Sequence, residues 1–209
     1  LKKGILAKTN LPNGDESMEE NTLRIGCVVM AAGNASRFGE NKLAREIGGK
    51  SLIHRALEAV PAEVFYRIAV VTQYPEVAAL AEKFGFQAVE NHHPELGISR
   101  TIQLGLSAMD DCDGVLFQVS DQPLLRRETV AAAVALWREN PTAIVARAFS
   151  ELRGNPRLFP PRFFPELMGL GGERGGRGGS CRHPGGLIPL GKGGGGLAGI
   201  GNPQALKEL

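Results

Sequence analysis

A regular alternation constrains this chain most. From residue 24 onward, short apolar runs take turns with stretches that carry apolar residues at helical spacing. Ile25–Met30 is such a run, and brief apolar runs of this kind read as strands buried on both faces. Ile68–Val71, Gln87–Val89, Val115–Val119 and Ala143–Ala146 are further strands. Between them, Leu52–Val60 spaces Leu52, Ile53, Ala56, Leu57 and Val60 along one helical face. Pro75–Phe84 has proline near its start and Gly85 just past its end, which are helix start and stop signals. Ser99–Met109 and Arg127–Glu139 complete the helical set. The pattern predicts an α/β domain whose mostly parallel sheet is covered by helices on both faces. Ligands of such sheets sit beyond the carboxyl ends of strands, so the loops after Met30 and Val119 are the first places to look.

Bulk properties bound the alternatives. With 209 residues and 43% hydrophobic content, the chain can build one domain with a sizeable core. A formal net charge of +2 gives no case for nucleic acid or an anionic membrane as partner. Cys27, Cys112 and Cys181 are far apart, with no CxxC spacing, which predicts a reducing, cytoplasmic setting. No apolar run approaches the ~20 residues that span a bilayer. Residues 1–17 are polar and aperiodic and read as a tag, linker or disordered N-terminus, leaving 18–209 as a single domain. Of 28 glycines, 16 fall between Gly169 and Gly201. Glycine loses more backbone entropy on folding than other residues and adds no core side chain, so 169–201 is expected to be poorly ordered.

Two loops carry the chemistry. After the first strand come Ala31, Ala32 and Gly33, small enough for a base or phosphate to lie against main-chain N–H groups. Arg37 then offers a planar fork of donors and Lys42 a point charge, both suited to polyphosphate. The loop is neither a GxxxxGK[ST] phosphate loop nor a GxGxxG dinucleotide fingerprint. A plain glycine turn with solvated charges is the alternative. In the second loop Asp121 follows a strand and precedes Gln122-Pro123. A carboxylate so placed suits Mg²⁺, which takes one or two carboxylates plus phosphate oxygens and water. It equally suits an Asx turn or a helix cap.

Two further segments are less specific. In Asn91–Ile102, Gly97 begins a turn and Ser99 is placed to cap the following helix, whose N-terminus would attract anions. His92 and His93 are neighbours that seldom point the same way, and are read as loop residues. Arg153–Phe159 contains Gly154-Asn155-Pro156 and is read as a turn.

Taken together these segments resemble the nucleotidyltransferases that handle molybdenum cofactor and related substrates. Ala31, Ala32, Gly33, Arg37, Gly39 and Lys42 fall in register with that family's (L/M)AAGxSxRxGxxK pattern. Residues 120–123 resemble its (G/S)D(Q/M)P element, with Ser120 where glycine is usual. Residues 91–102 are similar to a stretch of the cytidylyltransferase branch that lines the nucleotide. Arg153–Phe159 resembles its G(N/H)Px(L/F) element, and 172–177 a GDxGxR element with Glu173 in place of Asp.

The resemblance implies a three-layer α/β/α, Rossmann-like nucleotidyltransferase fold. It implies transfer of CMP from CTP to the terminal phosphate of a molybdopterin-type cofactor, with release of pyrophosphate. Arg37, Lys42 and Asp121 would be catalytic, with Asp121 holding Mg²⁺. Ala31, Ala32, Gly33, Arg37, Lys42, Gly97, Ser99 and Thr101 would bind the nucleotide, with Arg100 a further contact. CTP or GTP, a phosphorylated pterin and a molybdenum hydroxylase are the implied partners. GTP or another phosphorylated acceptor on the same fold is one alternative; a non-catalytic module that delivers cofactor to a hydroxylase is the other. One departure favours the latter. The family's C-terminal D-I-D-(T/N)-P reads here as Gly199-Ile200-Gly201-Asn202-Pro203, so two carboxylates are glycine.

Overall fold

A computed structural model describes residues 23–33, 42–149, 152–172 and 186–190. In chain order it contains β1 (Ile25–Ala31), a short hairpin of β2 (Glu46–Ile47) and β3 (Lys50–Ser51), α1 (Leu52–Glu58), β4 (Arg67–Thr72) and α2 (Pro75–Lys83). Then come β5 (Gln87–Glu90), α3 (Ile98–Ser107), β6 (Gly114–Val119), α4 (Arg127–Glu139), β7 (Ile144–Phe149), β8 (Leu152–Phe159), α5 (Phe164–Met168) and β9 (Leu187–Leu190).

The main sheet has the order β5-β4-β1-β6-β8-β7-β9. β1 pairs in parallel with both β4 and β6, and β4 with β5. β8 runs antiparallel to β6 and β7, and β7 is parallel to β9. β8 is therefore the reversed strand in an otherwise parallel sheet. The two-residue period of β1 divides the core in two. Ile25, Cys27, Val29 and Ala31 enter one cluster with Ile53 and Leu57 of α1, Val77 of α2, and Val130, Val134 and Trp137 of α4. Val28 enters the other with Ile102 and Leu106 of α3 and Leu167 of α5. The expected three-layer α/β/α arrangement follows directly.

α3 lies against β1 at a distance set by one glycine. A Cβ on Gly105 would stand 2.4 Å from Val28 Cγ1. Topology then places the site. The chain leaves β1, moves outward through β4 and β5, and returns on the other side of β1 as β6. The strand order reverses between β1 and β6, and a crevice opens at that point beyond the strand ends. Among the described residues, no helix is long and apolar enough to cross a membrane.

Two local expectations are corrected. α3 starts at Ile98 with Gly97 as its N-cap, at φ +80°, a conformation that glycine adopts readily. Ser99 lies in the first turn instead of capping it, and its hydroxyl donates to Leu96 O (3.3 Å). Arg153–Phe159, expected as a turn, is most of strand β8. The register explains how a proline fits there: Ala146 faces Arg157, but Arg147 faces Gly154, so Asn155 and Pro156 bulge out of the ladder. Their peptide bond is cis. Leu187–Leu190, inside the glycine-rich stretch, forms β9 beside β7.

Candidate active site

The parallel strands β5, β4, β1 and β6 deliver their following segments to one edge of the sheet. There β1 runs out of ladder partners, and side chains take over. Ser120 Oγ donates to Met30 O (2.8 Å), and Thr72 Oγ1 donates to Ala31 O (3.2 Å). Gln73 Nε2 donates to Ala32 O (3.0 Å), and Tyr74 OH to Gly33 O (3.1 Å). Four successive carbonyls thus have side-chain donors, three from the exit of β4 and one from the exit of β6. Thr72 Oγ1 also accepts the N–H of Tyr74 (3.1 Å), which stiffens the donor segment. Ala31 and Ala32 are buried, and Gly33 is exposed.

Across the switch point, Lys42 and Asp121 meet. Lys42 Nζ donates to Asp121 Oδ2 at 3.1 Å, with side chains 20% and 28% exposed. The pair is reachable by a ligand yet sheltered enough for its charges to matter. The two residues are 79 positions apart in the chain. They come together because β1 and β6 are sheet neighbours. Arg37, the third residue of this set, lies outside the described residues, as does Gly39.

Asp121 supplies one hard oxygen donor group, and no group of three His, Cys, Asp or Glu side chains gathers as a metal site among the described residues. One accessible carboxylate suits Mg²⁺, whose remaining ligands are commonly phosphate oxygens and water. Glu173, Gly199 and Gly201 lie outside the described residues. His92 and His93 are exposed and sit near Glu90 and Glu95 respectively, at 3.4 and 3.0 Å.

The segment after β5 reaches the same edge. Gly97 turns the chain into α3. Ser99 and Thr101 are buried, at 3% and 4% exposure, and Thr101 Oγ1 accepts from Asn91 Nδ2 (3.4 Å). Asn91 N–H in turn donates to Thr72 O (2.7 Å). Through Asn91, Thr101 ties α3 to the exit of β4. Ser99 N–H donates to Gly172 O (3.2 Å), holding the chain after α5 against the same helix start. On the far side of β6, two arginines are buried: Arg157 on β8, beside Phe117 in the ladder, and Arg147 on β7. Neither cysteine of the described core has the character of a nucleophile. Burial pushes the Cys27 thiol far up, and burial with Asp111 nearby pushes Cys112 up to about 11.

Thr72, Gln73 and Tyr74 were not evident as site residues in the sequence. Their signal was slight: a run of three hydrogen-bonding side chains directly after a buried strand.

Comparison with known proteins agrees with this architecture. A 3-deoxy-manno-octulosonate cytidylyltransferase from Francisella philomiragia is 31% identical over 141 residues, which are 64% of this chain and 54% of that protein. A probable molybdenum cofactor guanylyltransferase from Aquifex aeolicus is 34% identical over 116 residues, 54% of each chain. A Mycobacterium tuberculosis protein solved in complex with manganese superposes with a TM-score of 0.61 at 21% identity, over 80% of this chain and 87% of that one, which shows a shared fold. The chain spans 23–57% of the length of five of the curated relatives it matches. The family described as "MobA-like NTP transferase domain" matches residues 27–182, which include the Ala31–Lys42 loop, Asp121 and the strands that join them. The chain belongs to the MobA-like NTP transferase family, a family of nucleotidyltransferases.

Proposed function

We propose that this protein transfers CMP from CTP to the terminal phosphate of a molybdopterin-type cofactor. The observation that carries a transfer reaction is the Lys42–Asp121 pair, 3.1 Å apart at the strand-order reversal beside a backbone loop of small residues. An acceptor phosphate oxygen attacks the α-phosphorus of the nucleotide. The bond from that phosphorus to the bridging oxygen breaks, and pyrophosphate leaves. The N–H groups of Ala32 and Gly33 face the nucleotide, and Lys42 sets a positive charge against its phosphates. Arg37 belongs to the same loop and would share that charge. Asp121 would hold a divalent cation, Mg²⁺ in this reading, which when bound neutralises phosphate charge and orients in-line attack. Little covalent chemistry is asked of the side chains; positioning and electrostatics carry the rate.

CTP is favoured by the resemblance of Asn91–Ile102 to the cytidylyl branch, and the pterin acceptor by the resemblance of the 31–42 loop. The related protein from Aquifex aeolicus is named a guanylyltransferase, so GTP is the competing nucleotide. The test is pyrophosphate release with CTP, GTP, ATP and UTP, each with and without Mg²⁺ and phosphorylated pterin. CTP-dependent release that Asp121→Asn and Lys42→Met reduce at least a hundredfold, in folded protein, is the expected result. GTP preference would replace the nucleotide. Tight nucleotide binding with no turnover would replace the enzyme by a carrier.

A further inference from the structure

The carbonyls at the end of β1 show an arrangement that an extended strand does not have. In such a strand successive carbonyls point alternately to its two sides. Here Ala31, Ala32 and Gly33 all give their carbonyls to one segment, Thr72-Gln73-Tyr74. The peptide bonds here are trans, so each C=O and the N–H that follows it lie on opposite sides. The N–H groups of Ala32 and Gly33 must therefore both face away from the exit of β4. The exit of β6, with Asp121 and its partner Lys42, flanks β1 on that other side. Two successive N–H groups on one side make a concave donor pair for an anion or a carbonyl-bearing base.

We infer that Gln73 and Tyr74 are positioning residues of the nucleotide site, acting through the peptides they lock. Neither needs to touch the nucleotide. Without them the peptides after Ala32 and Gly33 are free to rotate, and a rotated peptide presents carbonyl oxygen to a triphosphate. Like partial charges then oppose binding where donors had favoured it. Thr72 belongs to the same lock, but it is buried and its oxygen also accepts the Tyr74 N–H, so changing it disturbs the fold as well. Tyr74→Phe deletes one oxygen at a half-buried position, and Gln73→Leu removes the amide at nearly constant size. These two report on orientation with little else altered. The inference rests on the nucleotide reading above.

The test uses purified full-length chain. Equilibrium nucleotide binding, KM and kcat are measured for wild type, Tyr74→Phe, Gln73→Leu and the double variant. Tyr66→Phe, an exposed tyrosine at the opposite end of the sheet, is the control. One neutral hydrogen bond corresponds to roughly two- to tenfold in binding. Each single variant is therefore expected to raise nucleotide Kd and KM by about that factor, with kcat falling less, and the double variant to lose more than either. In ¹⁵N-labelled wild type, the Ala32 and Gly33 amides should move downfield on adding nucleotide, and the Gly33 amide, whose peptide carbonyl Gln73 holds, by less in Gln73→Leu. A rise in KM that follows a loss of thermal stability, or unchanged Kd in both single variants, overturns the inference. So does a wild type that binds nucleotide without moving those amides. A wild type that binds no nucleotide removes the functional reading itself, and this inference with it.

Discussion

Gly105 offers a direct test of how closely α3 and β1 are packed. An added Cβ would stand 2.4 Å from Val28 Cγ1, 3.0 Å from Cγ2 and 3.3 Å from Cβ. Carbon atoms settle at about 3.5–4.0 Å, so the helix and strand would have to part by about 1 Å. Val28 has no exposed surface, and its methyl groups have nowhere to go. Overpacking of this kind costs about 1–3 kcal/mol. Alanine in place of glycine in a helix interior returns up to about 1 kcal/mol of propensity. The net expectation for Gly105→Ala is a loss of about 1–2 kcal/mol, read as a lower urea midpoint at unchanged m.

A second substitution separates steric overlap from other causes. Val28→Ala alone removes two buried methyl groups and should cost about 2–3 kcal/mol. In the Gly105→Ala background it also removes the two closest clashes. The double variant should then be at least about 1 kcal/mol more stable than the sum of the singles. A Gly105→Ala protein as stable as wild type would refute the argument, because propensity would have outweighed contact. So would a cycle that is additive within about 0.5 kcal/mol. The result bears on function, since Val28 lies three residues before Ala31.

The remaining predictions concern charge and thiols. Lys42 sets its positive charge against the carboxylate of Asp121, 3.1 Å from Oδ2, so Lys42→Met should tighten Mn²⁺ binding in the absence of nucleotide while lowering turnover. Weaker or unchanged Mn²⁺ affinity by electron paramagnetic resonance titration would count against Asp121 as the ligand. Cys27 is wholly buried and Cys112 nearly so, both with thiols pushed up by burial. At pH 8 neither should be alkylated by iodoacetamide in the native state, whereas both should react in urea. Peptide mapping that finds Cys27 labelled in native protein would contradict the packing of β1.

Much of the layout was readable from residue pattern. Alternating apolar runs located β1, β4 and β6 within a residue or two, because burial on both faces demands continuous apolar side chains, and β5, an edge strand, was found to within one residue. Arg127–Glu139 was found at the limits the fold shows, since thirteen residues of one amphipathic period leave little ambiguity. β8 was hidden because Pro156 reads as a strand breaker, and only the neighbouring strand shows that the bulge carries it out of the ladder. The cap of α3 lies two residues before the expected one, at Gly97, since the sequence offers Ser99 as a better cap and only the path of the chain puts glycine there.

The sequence by itself determined the class of fold and the two loops that bear charge, because hydrophobic period and residue chemistry are local properties. Residue pattern placed Lys42 and Asp121 in separate loops, and only the family resemblance put them in one site. Their meeting depends on which strands become neighbours, and strand order is decided by how helices cross over the sheet and close both layers of the core. The same holds for the clamp on Met30 to Gly33. Thr72, Gln73, Tyr74 and Ser120 are ordinary polar residues in sequence. They become donors to four particular carbonyls only because β4 and β6 flank β1.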